Sequence, residues 1–430
     1  MTLERFRVFL RSLAFALPLL SISYLIRFRV AGLPSTLLEV LLLVFIAGVF
    51  IVTKRAGLAR SHALLIAWRW PLTAWLFATV VAVFASPSLW TGLGLWRAYI
   101  LEPMLVLLAM TALLDQPGDR RRLEQGMMGA AIVVSIWALI GYLGNWGIPH
   151  PWNVAISAGR RAVGPFGFPN AVALFVAPIG ALAAARFAGF LKNRNVEVTK
   201  QSAKTTWKEA MLPVLTLVSV AMALLLAKSD GGMIAFGFVI VLALLGLRWG
   251  KWLVALGGVL AAIALALLPD VRQAIVQELT FQGWSGKVRL IMWRETWMML
   301  KDHWFFGAGF GGYPAVFDAY HKARFIEIFQ YPHTILFNLW SETGLLGIAA
   351  FISVGVTWFH QSLLASRRLV GAVARRGLVY AEHLVLLAPL LAILVQGLVD
   401  VPYFKNDSAL LFWLFVWLIV ATKQEAPKLA

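Results

Sequence analysis

Long apolar runs separated by short polar breaks set the rhythm of this chain from end to end. A helix rising 1.5 Å per residue needs roughly 17–25 apolar residues to cross a hydrocarbon core about 30 Å thick. Twelve runs fit, at about 10–27, 35–53, 63–85, 93–114, 127–146, 169–190, 210–228, 231–248, 250–269, 333–358, 381–400 and 408–422. Most breaks are short, as between helices packed side by side. The first run is long, lacks a small-residue cleavage site and is followed by similar runs, so it reads as a span rather than a removable leader. The pattern predicts an all-α polytopic membrane protein with about twelve transmembrane helices.

One stretch departs from the rhythm. Pro269 ends the ninth run, and Asp270 to Pro332 have only enough apolar periodicity for two helices. We therefore expect three parts: residues 1–269 with nine spans, a helical cap outside the membrane at 270–332, and residues 333–430 with the last three spans. Between Lys287 and Lys301, helical spacing puts Val288, Met292, Glu295 and Met299 on one stripe. Arg289, Trp293 and Trp297 share another, at i, i+4 and i+8. This suits either an interfacial helix with tryptophans at the headgroups or an arginine that meets a phosphate.

Composition agrees with lipid as the solvent, at 60% hydrophobic and 13% charged residues and a mean hydropathy of +0.79. The net charge of +18 is first a matter of topology, because lysine and arginine gather in cytoplasmic loops. With both termini inside, the inner segments take 23 of the 38 cations, among them a basic linker at 191–209 and a cluster from Arg367 to Arg376. No nucleic-acid partner is needed to explain them. Arg69 lies inside the third run, and the other 14 face outward, where the same rule places few. Those need a local cause. The absence of cysteine excludes disulfides and thiolate chemistry.

Four outward features carry the candidate chemistry: Gly159-Arg160-Arg161-Ala162-Val163-Gly164-Pro165-Phe166-Gly167-Phe168-Pro169-Asn170; Ser285-Gly286-Lys287-Val288-Arg289 with Trp293 beyond; Gly307-Ala308-Gly309-Phe310-Gly311-Gly312-Tyr313; and Tyr331-Pro332-His333 opening an apolar run. The glycine-rich segment lacks a following Lys-Ser/Thr, so it reads as a tight connection and not a P-loop. Taken in order, these features resemble the O-antigen ligase and O-antigen polymerase superfamily of membrane glycosyltransferases, most closely its ligase branch. The resemblance spans nearly the whole chain, including Glu102-Pro103 and Asp400-Val401-Pro402. It implies a GT-C-like bundle with a periplasmic cap and active site in a bacterial inner membrane. It also implies a polyprenyl-diphosphate-linked glycan as donor, lipid A-core as acceptor, and no cofactor. The polymerase branch, whose acceptor is another carrier-linked repeat, is the nearest alternative, and a lipid-linked sugar transporter is the alternative from another class. Many members of the family carry a Ser-Arg-Gly or similar run between the seventh and eighth spans, where this chain reads Lys228-Ser229-Asp230-Gly231-Gly232.

The residues themselves support this chemistry. An imidazole, with an ordinary pKa near about 6.5, can take a proton from a sugar hydroxyl at neutral pH. His333 is the candidate general base, and Pro332 before it suits a first helical turn. A departing diphosphate needs positive charge, and the guanidinium fork supplies it bidentately. Arg160, Arg161 and Arg289 are the first choices, with Lys287 and Lys228 behind them. Arg97 either pairs with Glu102 inside the membrane or lines the donor site. Asp400 either orients His333, binds acceptor hydroxyls or pairs with Lys405. No Asp-x-Asp pair occurs in an outer loop and the outer histidines lack metal-type spacing, so we expect metal independence.

Overall fold

The computed structural model describes residues 2–30, 33–194, 207–371 and 376–429. Much of the expected basic linker at 191–209, and part of the cluster between Arg367 and Arg376, lie outside the described residues. In chain order the elements are α1 (Leu3–Leu20), β1 (Arg27–Val30), β2 (Leu33–Thr36), α2 (Leu37–Val52), α3 (Arg55–Phe84), α4 (Leu89–Trp96), α5 (Glu102–Leu113), α6 (Asp119–Gly144) and α7 (Pro169–Arg194). They continue with α8 (Trp207–Ala227), α9 (Asp230–Leu245), α10 (Gly250–Leu267), α11 (Pro269–Leu279), α12 (Trp284–Asp302), α13 (Tyr313–Phe317), α14 (Ile335–Gly371), α15 (Arg376–Gln396) and α16 (Asn406–Leu429).

Every one of the twelve apolar runs forms helix. Nine described helices or helix pairs are long and apolar enough to cross a membrane, and α2, α9 and the Ala381–Gln396 part of α15 are shorter apolar helices. The protein is therefore an all-α polytopic membrane protein. The antiparallel hairpin β1–β2, with Arg27 opposite Thr36, was not foreseen. It leads into a reciprocal cap on α2: Thr36 Oγ1 accepts from Glu39 N at 3.3 Å, and Thr36 N donates to Glu39 Oε2 at 3.3 Å.

The spans differ sharply in how much protein surrounds them. In α7, 89% of the apolar window is buried, and the helix packs against α6, α8, α9 and α15. In α10 the figure is 6%. Close approach around α7 rests on alanine: Ala173, Ala177, Ala181, Ala183 and Ala185 are fully buried. A second core gathers the rings of Trp75, Phe351, Tyr403 and Phe412. There the Tyr403 hydroxyl donates to Tyr99 O at 3.1 Å and accepts from Trp413 Nε1 at 3.1 Å. These bonds fix the connection between α15 and α16.

The two ends of the bundle are chemically unlike. At one end the starts of α6 and α15 meet α7 in a partly buried ionic network. Arg186 donates to Glu124 Oε2 at 2.7 Å and to Glu382 Oε1 at 2.8 Å, while Arg120 pairs with Glu124 at 3.2 Å and also donates to Glu382. Beside it, Arg7, Arg11 and Arg60 surround Asp115, and Arg11 also holds Asp119 at 2.6 Å. The other end carries α11 to α13 and the glycine-rich segment, which is the tight connection expected. Its backbone docks on two helices: Phe310 N donates to Ala82 O at 2.9 Å, Ala308 N to Ser341 O at 2.6 Å, and Gly311 N to the Glu342 carboxylate. At Gly309, φ is +80° and a Cβ would stand 2.5 Å from the Ala85 carbonyl, so only glycine fits.

Removing one partner of a buried ionic network costs about 3–5 kcal/mol, because it strands the others without compensation. Glu382→Ala, which leaves Arg120 and Arg186 short of a carboxylate, should lower the thermal unfolding midpoint in detergent far more than Glu209→Ala at the exposed Arg121–Glu209 pair. Equal midpoints for the two variants would show that the network does not hold the bundle.

Candidate functional site

At the end of the bundle opposite the ionic network, helix ends and the connections between them converge on a cavity of about 230 Å³. The segment 160–170 leads into α7, Lys228-Ser229 joins α8 to α9, the start of α12 follows a turn, and residues 396–400 leave α15. Arg161, Lys228, Arg289, Gln396 and Asp400 line it, together with Asn170, Ser285 and the acids Asp230 and Glu278. A Cβ at Gly231 would stand 2.6 Å from Val399 Cγ2. Glycine there lets the first turn of α9 close on the end of α15.

The two neighbouring arginines part company. Arg161 is anchored from within: its Nε donates to Ala227 O at 2.8 Å, and Nη2 donates to Lys228 O at 2.9 Å and Asn170 Oδ1 at 3.1 Å. Its guanidinium also lies 4.9 Å from the centre of the Trp152 ring. Both N–H groups of Nη1 remain without a partner among the described residues. Burial lowers its pKa from the ordinary arginine value, while Asp230 acts the other way. Arg160 instead donates to Val154 O and Tyr142 O, each at 2.7 Å, and holds the loop after α6. It does not line the cavity.

Helix geometry sorts the α12 residues. Ser285 and Arg289 are one turn apart and both line the cavity, whereas Lys287, two residues from each and about 200° round the helix, is exposed and does not. Arg289 makes no hydrogen bond or ion pair among the described residues. Val288, Met292, Glu295 and Met299 are buried as one stripe. On that stripe, Glu295 accepts from the backbone N–H groups of Lys322 and Ala323 at 3.0 and 3.1 Å and meets His321 Nδ1 at 2.9 Å. Arg97 lies elsewhere, in a π-helical turn between α4 and α5. There it pairs with Glu102 at 3.2 Å and with Glu39.

His333 does not open a helix. It precedes α14 with φ +51°, so Pro332 is outside the first helical turn. Trp293 Nε1 donates to Pro332 O at 2.8 Å, and Ile335 N donates to Gly397 O at 2.8 Å, which suspends the imidazole between α12 and α15. Phe329 and Tyr331 meet its ring edge-on at 5.0 and 5.1 Å. Burial pushes the Tyr331 phenol pKa up, and nearby Asp400 pushes it further. His333 Nδ1 stands 3.7 Å from Asp400 Oδ1 and has no hydrogen-bond partner among the described residues. Asp400 is buried and its Oδ1 accepts from Val401 N at 2.9 Å, while Lys405 pairs with Asp407 at 3.2 Å and leaves Asp400 to the histidine.

The cavity thus has cations on three of its walls and Asp400 on the fourth, while His333 does not line it and stands behind that carboxylate, 3.7 Å from it. Residues 215–352 match a protein-family model described as O-antigen ligase. Over that segment the chain is similar to the O-antigen ligase family. The match includes Lys228, Lys287, Arg289 and His333 and stops short of Arg161, Gln396 and Asp400. No curated protein matches the chain. The family indicates a membrane glycosyltransferase-like enzyme of ligase or polymerase type. Among the described residues no three metal-ligating side chains gather.

Sequence reading missed Gln396, although a polar residue one helical turn before Asp400 in an otherwise apolar run was a usable signal. Arg160→Ala leaves two backbone carbonyls without their donor, a loss of about 1–3 kcal/mol each where water cannot replace it. We expect a lower unfolding midpoint for Arg160→Ala and an unchanged one for Lys287→Ala. The reverse order would contradict the placement of the two cations.

Proposed function

We propose that this protein transfers a glycan from polyprenyl diphosphate to lipid A-core by a metal-independent, inverting single displacement. The observation that carries the reading is the convergence of Arg161, Lys228, Arg289 and Asp400 on one cavity, with His333 3.7 Å behind Asp400. Arg161, pre-anchored on backbone carbonyls, offers the two N–H groups of Nη1. Arg289, without a hydrogen bond or ion pair among the described residues, offers its whole fork. Both suit diphosphate oxygens. Lys228 adds a third positive charge where many members of the family place an arginine. The acids Asp230 and Glu278 sit at the exposed rim, and Asp400 is turned to the histidine.

In the proposed step His333 takes the proton of the acceptor hydroxyl as its oxygen forms a bond to the anomeric carbon. The bond from that carbon to the diphosphate breaks on the opposite side, and its electron pair leaves on the diphosphate, beside the cations. Asp400, 3.7 Å from Nδ1, faces the imidazole without a hydrogen bond in the resting site and balances the imidazolium charge as it forms, the role a carboxylate plays behind a histidine base. Because the leaving group is already an anion stabilised by arginine, no carboxylate nucleophile is required, unlike a retaining glycosidase. Cations placed at the developing charge also make a metal ion unnecessary.

The active end belongs to the periplasmic face of a bacterial inner membrane in this reading. The other end carries the arginines that the positive-inside rule assigns to the cytoplasm. A capped end with α11 to α13 suits two lipid-borne substrates that meet at the outer leaflet.

Purified protein in lipid, supplied with polyprenyl-diphosphate glycan and lipid A-core, tests the proposal. The parent should transfer glycan in chelator with inversion at the anomeric carbon. His333→Ala should lose roughly 10²–10⁴-fold in kcat, and Arg289→Ala a comparable factor. Carrier-linked polymer without lipid A-core product would assign the protein to the polymerase branch, and a retained configuration would refute the single step.

A further inference from the structure

Among the cavity's lining residues Gln396 is a neutral, buried side chain whose chemistry diphosphate does not explain. Gln396 ends α15 at 1% exposure, with both Oε1 and Nε2 closed to solvent and neither hydrogen-bonded to any described residue. A buried primary amide in that condition is rare, because nearly all such groups find partners in folded proteins. It stands in the wall of the cavity, one helical turn before Asp400, whose backbone N–H donates to Gln396 O at 3.0 Å. Amide and carboxylate therefore share a face of the same helix end, across from Arg161 and Arg289.

We propose that Gln396 is a sugar-binding residue, which recognises a hydroxyl of the donor's first sugar, the one bonded to the diphosphate. The inference rests on the reading of this cavity as a glycan-diphosphate site. Diphosphate oxygens only accept hydrogen bonds, and the guanidinium forks answer them. A sugar hydroxyl both donates and accepts, and a primary amide answers both with its C=O and its NH₂. The cavity is then divided along its length, with cations for the leaving group and a neutral amide for the sugar next to it. A buried amide without a protein partner also makes the site selective, because an analogue lacking the hydroxyl leaves the amide unpaired.

The test measures affinities of the full chain in nanodiscs for three ligands: polyprenyl diphosphate bearing one native sugar, its series of monodeoxy analogues, and bare polyprenyl diphosphate. The parent should bind at least one deoxy analogue tenfold or more weakly than the native sugar. In Gln396→Leu that gap should close to within about twofold, a range set by the small net worth of contacts away from the hydroxyl, while bare polyprenyl diphosphate binds as it does to the parent. Without ligand, Gln396→Leu should unfold at the parent's temperature or above, since the amide has no internal partner to lose. A gap that persists in Gln396→Leu, a parent without any gap, or weakened binding of the bare carrier would each overturn the assignment. So would earlier unfolding of the variant, which would mark the amide as structural. Transfer to lipid A-core, assayed on the same preparations, separates this result from the ligase reading: a closed gap without such transfer overturns the acceptor and leaves Gln396 in place.

Discussion

In hydrocarbon a backbone N–H or C=O has no water to turn to, so a chain that crosses the membrane must be helical or bury its irregular parts in protein. That constraint locates everything else in this molecule. The cavity forms where α7, α9 and α12 begin and α8 and α15 end, because only at helix ends can non-helical segments meet and bond to one another. Ala162 N reaches Leu226 O at 2.9 Å, Arg161 caps the last carbonyls of α8, and Ile335 N reaches Gly397 O. The polar groups that terminate helices also assemble the site.

The same economy explains the different fates of adjacent cations. Arg160 and Arg161 both satisfy backbone carbonyls, yet one spends its fork on the loop after α6 while the other keeps Nη1 over the cavity. Lys287 and Arg289 differ by two helical positions and so by the face they occupy. Charge alone did not distinguish these residues. Their bonding to the chain did.

Much of the architecture was legible because the period and length of apolar runs depend on local sequence alone. All twelve runs became helix, and the α12 stripe of Val288, Met292, Glu295 and Met299 is buried as its spacing required. The hairpin β1–β2 was missed because its one alternating stretch, Arg27-Phe28-Arg29-Val30, is only four residues long and is squeezed between two apolar runs that dominate the pattern. The site was legible in its residue types and only partly in its membership. Motif order pointed to Arg161, Arg289 and His333, but the left-handed backbone of His333, the retreat of Arg160 and the burial of Gln396 all depend on contacts between segments far apart in sequence. The choice among partners for Asp400 was of the same kind: Lys405 is taken by Asp407 two residues on, a contact set by the start of α16.

The contrast between α7 and α10 has a consequence for how this sequence can drift. Lipid tails are as apolar as leucine, so along α10 one apolar side chain serves as well as another and its surroundings flow to fit. Around α7 the surroundings are other helices at close-packed density, and an added methyl group there displaces a neighbour. The alanines of α7 are thus a record of shape, whereas the leucines and valines of α10 record only solvent. Two segments of equal hydropathy can carry very different amounts of structural information.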